Sequence, residues 1–387
     1  MIKYLSSDSH SNNSILIKKI RWILALSLFV VTCNLQAQDE STFKVETLVT
    51  GLESPWSLAI LPDGRMLITE RAGRLRIVEQ GKLHPQPIKG LPDIVADGQG
   101  GLLDLVLHPD YQKNGWIYLS YAAPQPNSLF DKSGTSVVRA KLQGHQLVQL
   151  QQIYTMKDKT RSGRHFGSRM VFDKDNYLYI TVGERGDRPR AQDKSDTAGS
   201  VLRLHDDGSI PKDNPFTNEA NAHPAIYSYG HRNPQGMAIH PQSGEIWTHE
   251  HGPKGGDEIN ILQAGANYGW PVISYGLNYV LSTQVGEGTH KEGMQQPIHQ
   301  WTPSIAPSGM TFYTGDKFKS WQGNLFVGAL KYQMLVRLEL QGNKVMKQHE
   351  LLKNELGRIR DVRVGMDGFV YLLTDEGNGR LVRLLPN

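Results

Sequence analysis

The stretch Phe172-Asp173-Lys174-Asp175-Asn176-Tyr177-Leu178-Tyr179-Ile180 is a polar turn followed by a short strand of aromatic and aliphatic residues. The same arrangement recurs along the chain. The other five copies are residues 61–64 before 66–69, 108–110 before 116–119, 240–241 before 245–247, 321–323 before 324–327, and 366–368 before 369–372. Repeats of this kind are typical of β-propeller blades, small sheets that bury their faces by stacking around an axis. The sequence therefore predicts an all-β, six-bladed β-propeller, with a pair of stacked sheets as the alternative.

Two segments near the ends of the chain can close the predicted ring. The strand Phe43-Lys44-Val45-Glu46-Thr47-Leu48-Val49 precedes the first copy, and Arg380-Leu381-Val382-Arg383-Leu384 lies in the last blade. Pairing of these strands would join the end of the chain to its beginning. No helical period of apolar residues persists after residue 40, which agrees with an all-β protein. Polar residues that follow the strands would then meet at one end of the axis.

Composition excludes several classes of protein. The chain has 387 residues, of which 39% are hydrophobic, and a net charge of +4, so it is not disordered. Residues 1–37 hold four basic side chains and one acidic side chain, which leaves about +1 for residues 38–387. No run of five like charges occurs, so nothing supports nucleic-acid binding. The sequence has no G-x-G-x-x-G motif, which argues against a nicotinamide cofactor.

The first residues have the order of a secretory signal peptide. The basic segment 18–21 precedes an apolar stretch, residues 22–31, that is too short to span a bilayer. Ala37 provides a small residue for cleavage. We therefore expect residues 1–37 to be removed and residues 38–387 to form one catalytic propeller domain in the periplasm, with no transmembrane span. An uncleaved anchor helix is the alternative.

The single cysteine, Cys33, lies in this leader. The sequence Val30-Val31-Thr32-Cys33 loosely resembles a lipoprotein signal, so a lipid anchor is a second alternative. Cleavage after Ala37 leaves a chain without cysteine, which excludes disulfide, thiol and cysteine–metal chemistry. The exported protein must then be stabilised by its core and by bound ions.

A candidate general base lies just before the third copy of the repeat. His165 is followed by Phe166-Gly167, and an imidazole has an unperturbed pKa of about 6.5. Glu184 follows the strand of the same copy, where it can accept a hydrogen bond from His165 and fix its tautomer. The alternative is a structural role, because the chain has 14 histidines.

Several cations and one glutamine suggest a binding site for a polyanion. Arg232 is always protonated and suits an anion or an oxygen that becomes negative. Arg358 and Arg360 are two residues apart, so a strand would point both to one face, and Lys331 follows another strand. Gln99 lies among glycines that permit close approach of a ligand. Ordinary surface charge and a tight surface turn are the alternatives.

The segment 250–260 is the most concentrated in polar residues. The pair His249-x-His251 suggests zinc, but two histidines without a third ligand are a weak signal. Carboxylates among glycines favour oxygen ligands and therefore calcium.

Five motifs together resemble a known family. They are Gly-Gln-Gly-Gly-Leu-Leu-Asp at 98–104, His-Phe-Gly-Ser-Arg at 165–169, Ser-Tyr-Gly-His-Arg-Asn-Pro-Gln-Gly at 228–236, Glu-His-Gly-Pro-Lys-Gly-Gly-Asp-Glu-Ile-Asn at 250–260, and Arg-Ile-Arg-Asp-Val at 358–362. In this order they resemble the pyrroloquinoline quinone (PQQ)-dependent aldose sugar dehydrogenases, which are related to soluble glucose dehydrogenase. The resemblance covers about residues 42–385, and the fold of that family is a six-bladed propeller.

The resemblance implies a role for each matching residue. His165 would take the proton of the sugar C1 hydroxyl while a hydride passes to PQQ, Glu184 would orient His165, and Arg232 would stabilise the charge that develops on the quinone. The implied cofactor contacts are Gln99, Arg232, Asn233, Lys331, Arg358 and Arg360. The implied calcium ligands are the carbonyls of Gly252 and Pro253 for an ion that also binds PQQ, and Glu258 and Tyr268 for a structural ion.

One departure from the family limits the substrate. Glucose-oxidising members carry an aspartate directly before the base, where this chain has Arg164, so a preference for glucose does not carry over. We expect an aldose substrate, an unidentified electron acceptor, and a monomer or homodimer. Two competing hypotheses are a lactonase-like hydrolase with a metal in the channel, which needs carboxylates rather than cations there, and a non-catalytic binding propeller.

Overall fold

The fold is that of a computed structural model, which describes residues 43–387. The compact unit Lys44–Leu385 contains the sheets. The predicted signal peptide, 1–37, and its Cys33 lie outside the described residues. Within residues 43–387, no helix is long and apolar enough to cross a membrane.

The described chain forms six four-stranded antiparallel sheets, and these are the blades of a propeller. The first strand, β1 (Phe43–Leu52), belongs to the last blade. Blade 1 contains β2 (Pro55–Ile60), β3 (Met66–Glu70), β4 (Arg74–Glu79) and β5 (Lys82–Leu83). Blade 2 contains β6 (Leu102–Leu107), β7 (Trp116–Pro124), β8 (Ser133–Gln143) and β9 (Gln146–Thr155). Blade 3 contains β10 (Gly167–Phe172), β11 (Leu178–Val182), β12 (Ser200–Leu204) and β13 (Ile226–Tyr229).

The second half of the chain repeats this pattern. Blade 4 contains β14 (Pro234–Ile239), β15 (Ile246–Glu250), β16 (Asp257–Ile261) and β17 (His299–Trp301). Blade 5 contains β18 (Pro307–Phe312), β19 (Leu325–Ala329), β20 (Met334–Gln341) and β21 (Lys344–Leu351). Blade 6 contains β22 (Ile359–Val364), β23 (Val370–Thr374) and β24 (Gly379–Pro386), with β1 as its outer strand. The described helices are α1 (Tyr111–Asn114) and two 3-10 turns, Arg188–Gln192 and Lys319–Trp321.

The predicted repeat and the predicted closure are both confirmed. Each of the six copies contains the second strand of a blade, β3, β7, β11, β15, β19 and β23. The first strands of neighbouring blades contact one another in a closed ring around the axis. Strand β1 pairs with β24, and Arg383 Nη2 of β24 lies 2.6 Å from Glu46 Oε2 of β1. The stacked-sheet alternative is therefore wrong.

Apolar side chains of adjacent blades form the core between them. Leu67 and Leu75 of blade 1 pack in one fully buried cluster with Ile117 of blade 2. Equivalent clusters join blade 4 to blade 5 and blade 6 to blade 1. Truncating such a side chain to alanine typically costs about 2–5 kcal/mol.

The innermost strands also carry a buried ionic network. Arg169 Nη1 of β10 lies 2.9 Å from Asp104 Oδ1 of β6 and 3.1 Å from Asp361 Oδ1 of β22. Arg363 completes the network, 3.0 Å from Asp104 and 2.9 Å from Asp361. The network ties blades 2, 3 and 6 together around the axis.

Candidate active site

In each blade the first strand, which lies nearest the axis, is antiparallel to the second strand. The residues before the first strand and the residues after the second strand therefore lie at the same end of the propeller axis. The residues that precede a first strand include Gln99, His165, Arg232 and Asn233. The residues that follow a second strand include Arg71, Glu184, His251, Leu330 and Asp375. The predicted convergence of distant segments is therefore a consequence of the blade topology.

His165 and Glu184 form the predicted pair. His165 Nδ1 lies 2.6 Å from Glu184 Oε2, and both side chains are buried. Glu184 Oε2 also accepts the Gly186 N–H at 2.7 Å, which fixes the carboxylate. Burial lowers the pKa of His165, and the hydrogen bond to Glu184 offsets only part of that effect. The lowered pKa favours the neutral imidazole, and because Nδ1 faces Glu184, Nε2 is the nitrogen left to accept a proton.

The backbone at His165 is strained and held from several sides. Its φ angle is +55°, in the left-handed region, which persists only where the surroundings enforce it. Its N–H donates to Gln99 Oε1 at 2.7 Å. The buried guanidinium of Arg185 donates to the carbonyls of Ser162 and Arg164, on the same loop. Burial lowers the pKa of Arg185 to about 9.

A cavity of about 320 Å³ opens beside this loop. Its lining includes three of the predicted residues, Gln99, Arg358 and Arg360. Other lining residues that the sequence analysis did not assign to a cofactor are Trp56, Arg71, Gln235, His251 and Asp375. His165 is adjacent to the cavity through its hydrogen bond with Gln99 and is not part of its lining.

Arg358 and Arg360 point to one face, as their spacing predicted, and share a carboxylate. Arg358 Nη2 and Arg360 Nη2 lie 3.0 and 2.7 Å from the same atom, Asp375 Oδ2. Burial raises the pKa of Asp375, but the two cations outweigh burial, so its pKa is lowered. Two arginines against one carboxylate leave a net positive charge on this wall of the cavity.

Lys331 lies apart from the two arginines. Its side chain is exposed, with Nζ 5.2 Å from the centroid of the Tyr332 ring. The preceding residue, Leu330, lines the cavity, and its carbonyl accepts a 3.5 Å hydrogen bond from Arg358. The role of Lys331 as a cofactor contact stays a prediction, and Arg71 is the third cation that lines the cavity.

Arg232 and Asn233 are both buried at this end of the axis. Arg232 Nη1 donates to the His251 carbonyl at 2.9 Å, and its N–H donates to Glu250 Oε2 at 2.5 Å. Asn233 Oδ1 accepts the Gly167 N–H at 3.1 Å. Asn233 Nδ2 and Arg232 Nε have no hydrogen-bond partner within residues 43–387. Buried donors without a partner are rare and suggest a bound ligand.

Three of the four predicted calcium residues line a second, smaller pocket of about 10 Å³, which has room for one water or ion, and Pro253 is not part of its lining. Gly252, Glu258 and Tyr268 line it, together with Arg232. Burial, with the nearby charge of Glu250, raises the pKa of Glu258 to about 8. A carboxylate in this setting is stabilised by a cation.

Some of the oxygen atoms near this pocket already take part in hydrogen bonds within the protein. The Pro253 carbonyl accepts the Leu277 N–H at 2.9 Å, and the Tyr268 hydroxyl donates to the Ile261 carbonyl at 2.6 Å. The part of the chain that the structure describes contains no group of three or more histidine, cysteine, aspartate or glutamate side chains that could hold a metal. An ion here would therefore need backbone carbonyls, and the zinc alternative lacks its third ligand.

Asp375 and Arg71 carry a signal that the sequence analysis overlooked. Arg71 directly follows β3 and Asp375 directly follows β23, and each of these is the second strand of its blade. Glu184 lies at the corresponding end of blade 3, two residues after β11. Applying this positional rule to every copy of the repeat would have found both residues. No comparable signal marks Arg185, because its contacts depend on the conformation of the loop before β10.

The chain is similar to known proteins. A family model described as Glucose / Sorbosone dehydrogenase matches residues 52–383. Aldose sugar dehydrogenase YliI from Escherichia coli (strain K12) is 45% identical over 350 residues, which are 89% of this chain and 94% of that protein.

Two solved structures have a similar fold. The soluble aldose sugar dehydrogenase of Escherichia coli in its apo-form has a TM-score of 0.86 and 45% identity, covering 89% of this chain and 100% of that one. The PQQ-bound aldose sugar dehydrogenase of Streptomyces coelicolor has a TM-score of 0.71 and 28% identity, covering 89% of this chain and 99% of that one.

Proposed function

This chain belongs to the glucose/sorbosone dehydrogenase family, and on that premise we propose that it is an exported, PQQ-dependent enzyme that oxidises the C1 hydroxyl of aldoses to lactones. Family membership makes it an oxidoreductase of the sugar dehydrogenase class. The observation that carries the proposal is the buried His165–Glu184 pair beside a cavity lined with cations.

The donor set of the cavity fits PQQ, a planar quinone with three carboxylates. The volume of about 320 Å³ is in the usual range for small-molecule sites. The lining contains three arginines, Arg71, Arg358 and Arg360, and a single carboxylate, Asp375, so it has an excess of positive charge. Asn233 and Arg232 would offer their unpartnered donors to the same ligand. When bound, PQQ supplies a quinone that accepts a hydride.

The protein residues move and hold the proton. His165 Nε2 would take the proton of the C1 hydroxyl, because Nδ1 is committed to Glu184. Glu184 would hold the ring and stabilise the imidazolium that forms. Arg232 would stabilise the negative charge that develops on the cofactor.

Calcium fits residues in and beside the small pocket, which itself has room for one ion. The Gly252 and Pro253 carbonyls would hold one ion, since a carbonyl oxygen that accepts one N–H retains a second lone pair. Glu258 and the Tyr268 backbone carbonyl would hold another, which would remove the cost of burying the Glu258 charge. A calcium ion acts as a Lewis acid toward an oxygen that it binds.

The competing hypotheses have less support. A metal-dependent hydrolase needs carboxylates in its channel, but the lining of the described cavity has one carboxylate and three arginines. A binding propeller needs no oriented imidazole and no strained loop to hold it. The basic and apolar order of residues 1–37 supports export to the periplasm.

Reconstitution tests the proposal. Purified protein would be incubated with PQQ and calcium, and dye reduction by a panel of aldoses would be measured. We expect aldose-dependent reduction that requires PQQ. Hydrolysis of lactones without PQQ would support the hydrolase instead, and neither activity would support the binding propeller.

A further inference from the structure

The loop that carries the base also places a cation beside it. Gly163 and His165 both form hydrogen bonds with Gln99, which lines the cavity. The Gly163 carbonyl accepts the Gln99 N–H at 2.7 Å, and the His165 N–H donates to Gln99 Oε1 at 2.7 Å. A Cβ atom on Gly98 would lie 2.2 Å from the Gly163 carbonyl oxygen, so the two segments are in close contact. Arg164 lies between these two anchored residues, on the loop that contacts the lining residues Gly98 and Gln99.

The Arg164 side chain is exposed, and it has no hydrogen bond or ion pair with any other residue of the described chain, 43–387. Its backbone is fixed, because its carbonyl accepts a hydrogen bond from Arg185. Its Cγ and Cδ atoms pack over Gly186, 3.3 and 3.2 Å from the position of a Cβ there. Arg164 directly precedes His165 in the chain, so its side chain starts next to the base. Burial lowers the pKa of His165 most, and the charges of Arg232 and Arg164 add to this effect.

The neighbouring arginines are engaged. Arg358 and Arg360 share Asp375, Arg71 donates to the Gly98 carbonyl, and Arg188 donates to Asn278 Oδ1 at 2.8 Å. Arg164 thus keeps its planar set of donors for a ligand. A guanidinium of this kind binds carboxylates and phosphates by two parallel hydrogen bonds.

We propose that Arg164 binds an anionic group, a carboxylate or a phosphate, on the aldose, so that the enzyme prefers anionic aldoses such as uronic acids to neutral ones. This inference rests on the proposed function. The reaction at C1 is unchanged: the hydroxyl proton passes to His165, the C1 hydride passes to PQQ, and the anionic group serves only for binding.

Matched substrates test the proposal. The ratio of kcat/KM would be measured for glucuronate against glucose, galacturonate against galactose, and glucose 6-phosphate against glucose. For the native protein we expect kcat/KM to be higher for the anionic sugar than for the neutral sugar in the uronate pairs, in the phosphate pair, or in both. The pair with the higher ratio identifies whether a carboxylate or a phosphate is preferred. Arg164→Gln should lower the ratio about 10-fold or more by loss of a charge-assisted pair. Arg164→Lys should keep part of the preference.

Arg161→Gln is the matched control, because Arg161 is exposed, lies three residues away and packs on Phe130. It should leave the ratio unchanged. A native ratio at or below one, or a ratio that Arg164→Gln does not alter, overturns the proposal even when neutral aldoses are oxidised, so the proposed function survives that result.

Binding separates the two hypotheses if no sugar is oxidised. Calorimetry of the PQQ- and calcium-treated protein would compare the affinities for methyl β-glucuronide and methyl β-glucoside. Neither glycoside has a free C1 hydroxyl, so neither can react at C1. Tighter binding of the glucuronide that is lost in Arg164→Gln supports the anion site without catalysis. Equal or absent binding of the two glycosides contradicts it.

Discussion

Arg169 in blade 3 donates to Asp361 in blade 6 at 3.1 Å, and both side chains are almost completely buried. The two residues are 192 positions apart in the chain. Blades 3 and 6 are opposite one another in a ring of six, so the contact crosses the axis. The innermost strands of these two blades are thereby fixed relative to one another.

Breaking this contact should destabilise the whole propeller. Asp361→Asn leaves Arg169 and Arg363 without one of their carboxylates in a buried setting, where loss of one partner typically costs about 3–5 kcal/mol. Urea unfolding followed by circular dichroism would measure the loss. Asp63→Asn, at an exposed ion pair with Arg65, is the control and should cost less than about 1 kcal/mol. Equal effects of the two substitutions would contradict a special role for the network.

His165→Ala should remove the base and leave the cofactor site intact. We expect PQQ to bind as in the native protein and kcat to fall by about 100-fold or more, the usual size of a general-base contribution. His290→Ala, at an exposed histidine, is the control. Unchanged turnover by the His165 variant, with PQQ bound, would exclude this residue as the base.

The acid limb of the pH profile reports on the same imidazole. The proposed mechanism needs neutral His165, and burial lowers the pKa of His165 from the ordinary value of 6.5, so kcat/KM should persist to a pH below 6.5 before it falls. Glu184 acts in the opposite direction and raises the pKa of His165. Glu184→Gln should therefore move the acid limb to still lower pH while it slows turnover. A shift of the limb to higher pH would be inconsistent with this pair.

Much of the fold follows from short-range patterns. The turn before each second strand depends on local residue types such as Asp367 and Gly368, so the six blades and the closing strand could be predicted. The convergence of Arg358 and Arg360 also follows from the two-residue period of a strand. These features need no knowledge of distant contacts.

Other parts of the site depend on contacts that a linear pattern does not contain. The partner of both arginines, Asp375, directly follows a different strand, β23. The Lys331 side chain is exposed, although Lys331 follows its strand at the same distance as Glu184 does. Tyr268 reaches the small pocket from a long connection between β16 and β17. The hydrogen bond from the Tyr268 hydroxyl to the Ile261 carbonyl could not be predicted from the residue type.

The charge of the cavity can be tested by the affinity for PQQ. Arg360→Gln removes a buried cation from the lining, and loss of one charge-assisted hydrogen bond should raise the Kd for PQQ by about 10-fold or more. Titration of tryptophan fluorescence with PQQ would measure the Kd in the absence of sugar. Lys347→Gln, which removes an exposed charge on the outer strand of blade 5, is the control. Equal affinities of the two variants would contradict cofactor binding by this wall.

Removal of calcium should affect stability and activity together. A ligand that binds only the folded state stabilises it by about 2.7 kcal/mol when its concentration is 100 times its Kd. Prolonged treatment with EDTA should therefore lower both Tm and the rate of dye reduction, and added calcium should restore both quantities.

Glu258→Gln removes the buried carboxylate whose pKa is raised to about 8, and it should reduce the calcium-dependent part of Tm. Glu287→Gln, at an exposed pair with Lys291, should retain the full response. If EDTA changes neither quantity in the native protein, even after incubation at raised temperature, then the small pocket does not hold an ion that matters for folding or catalysis.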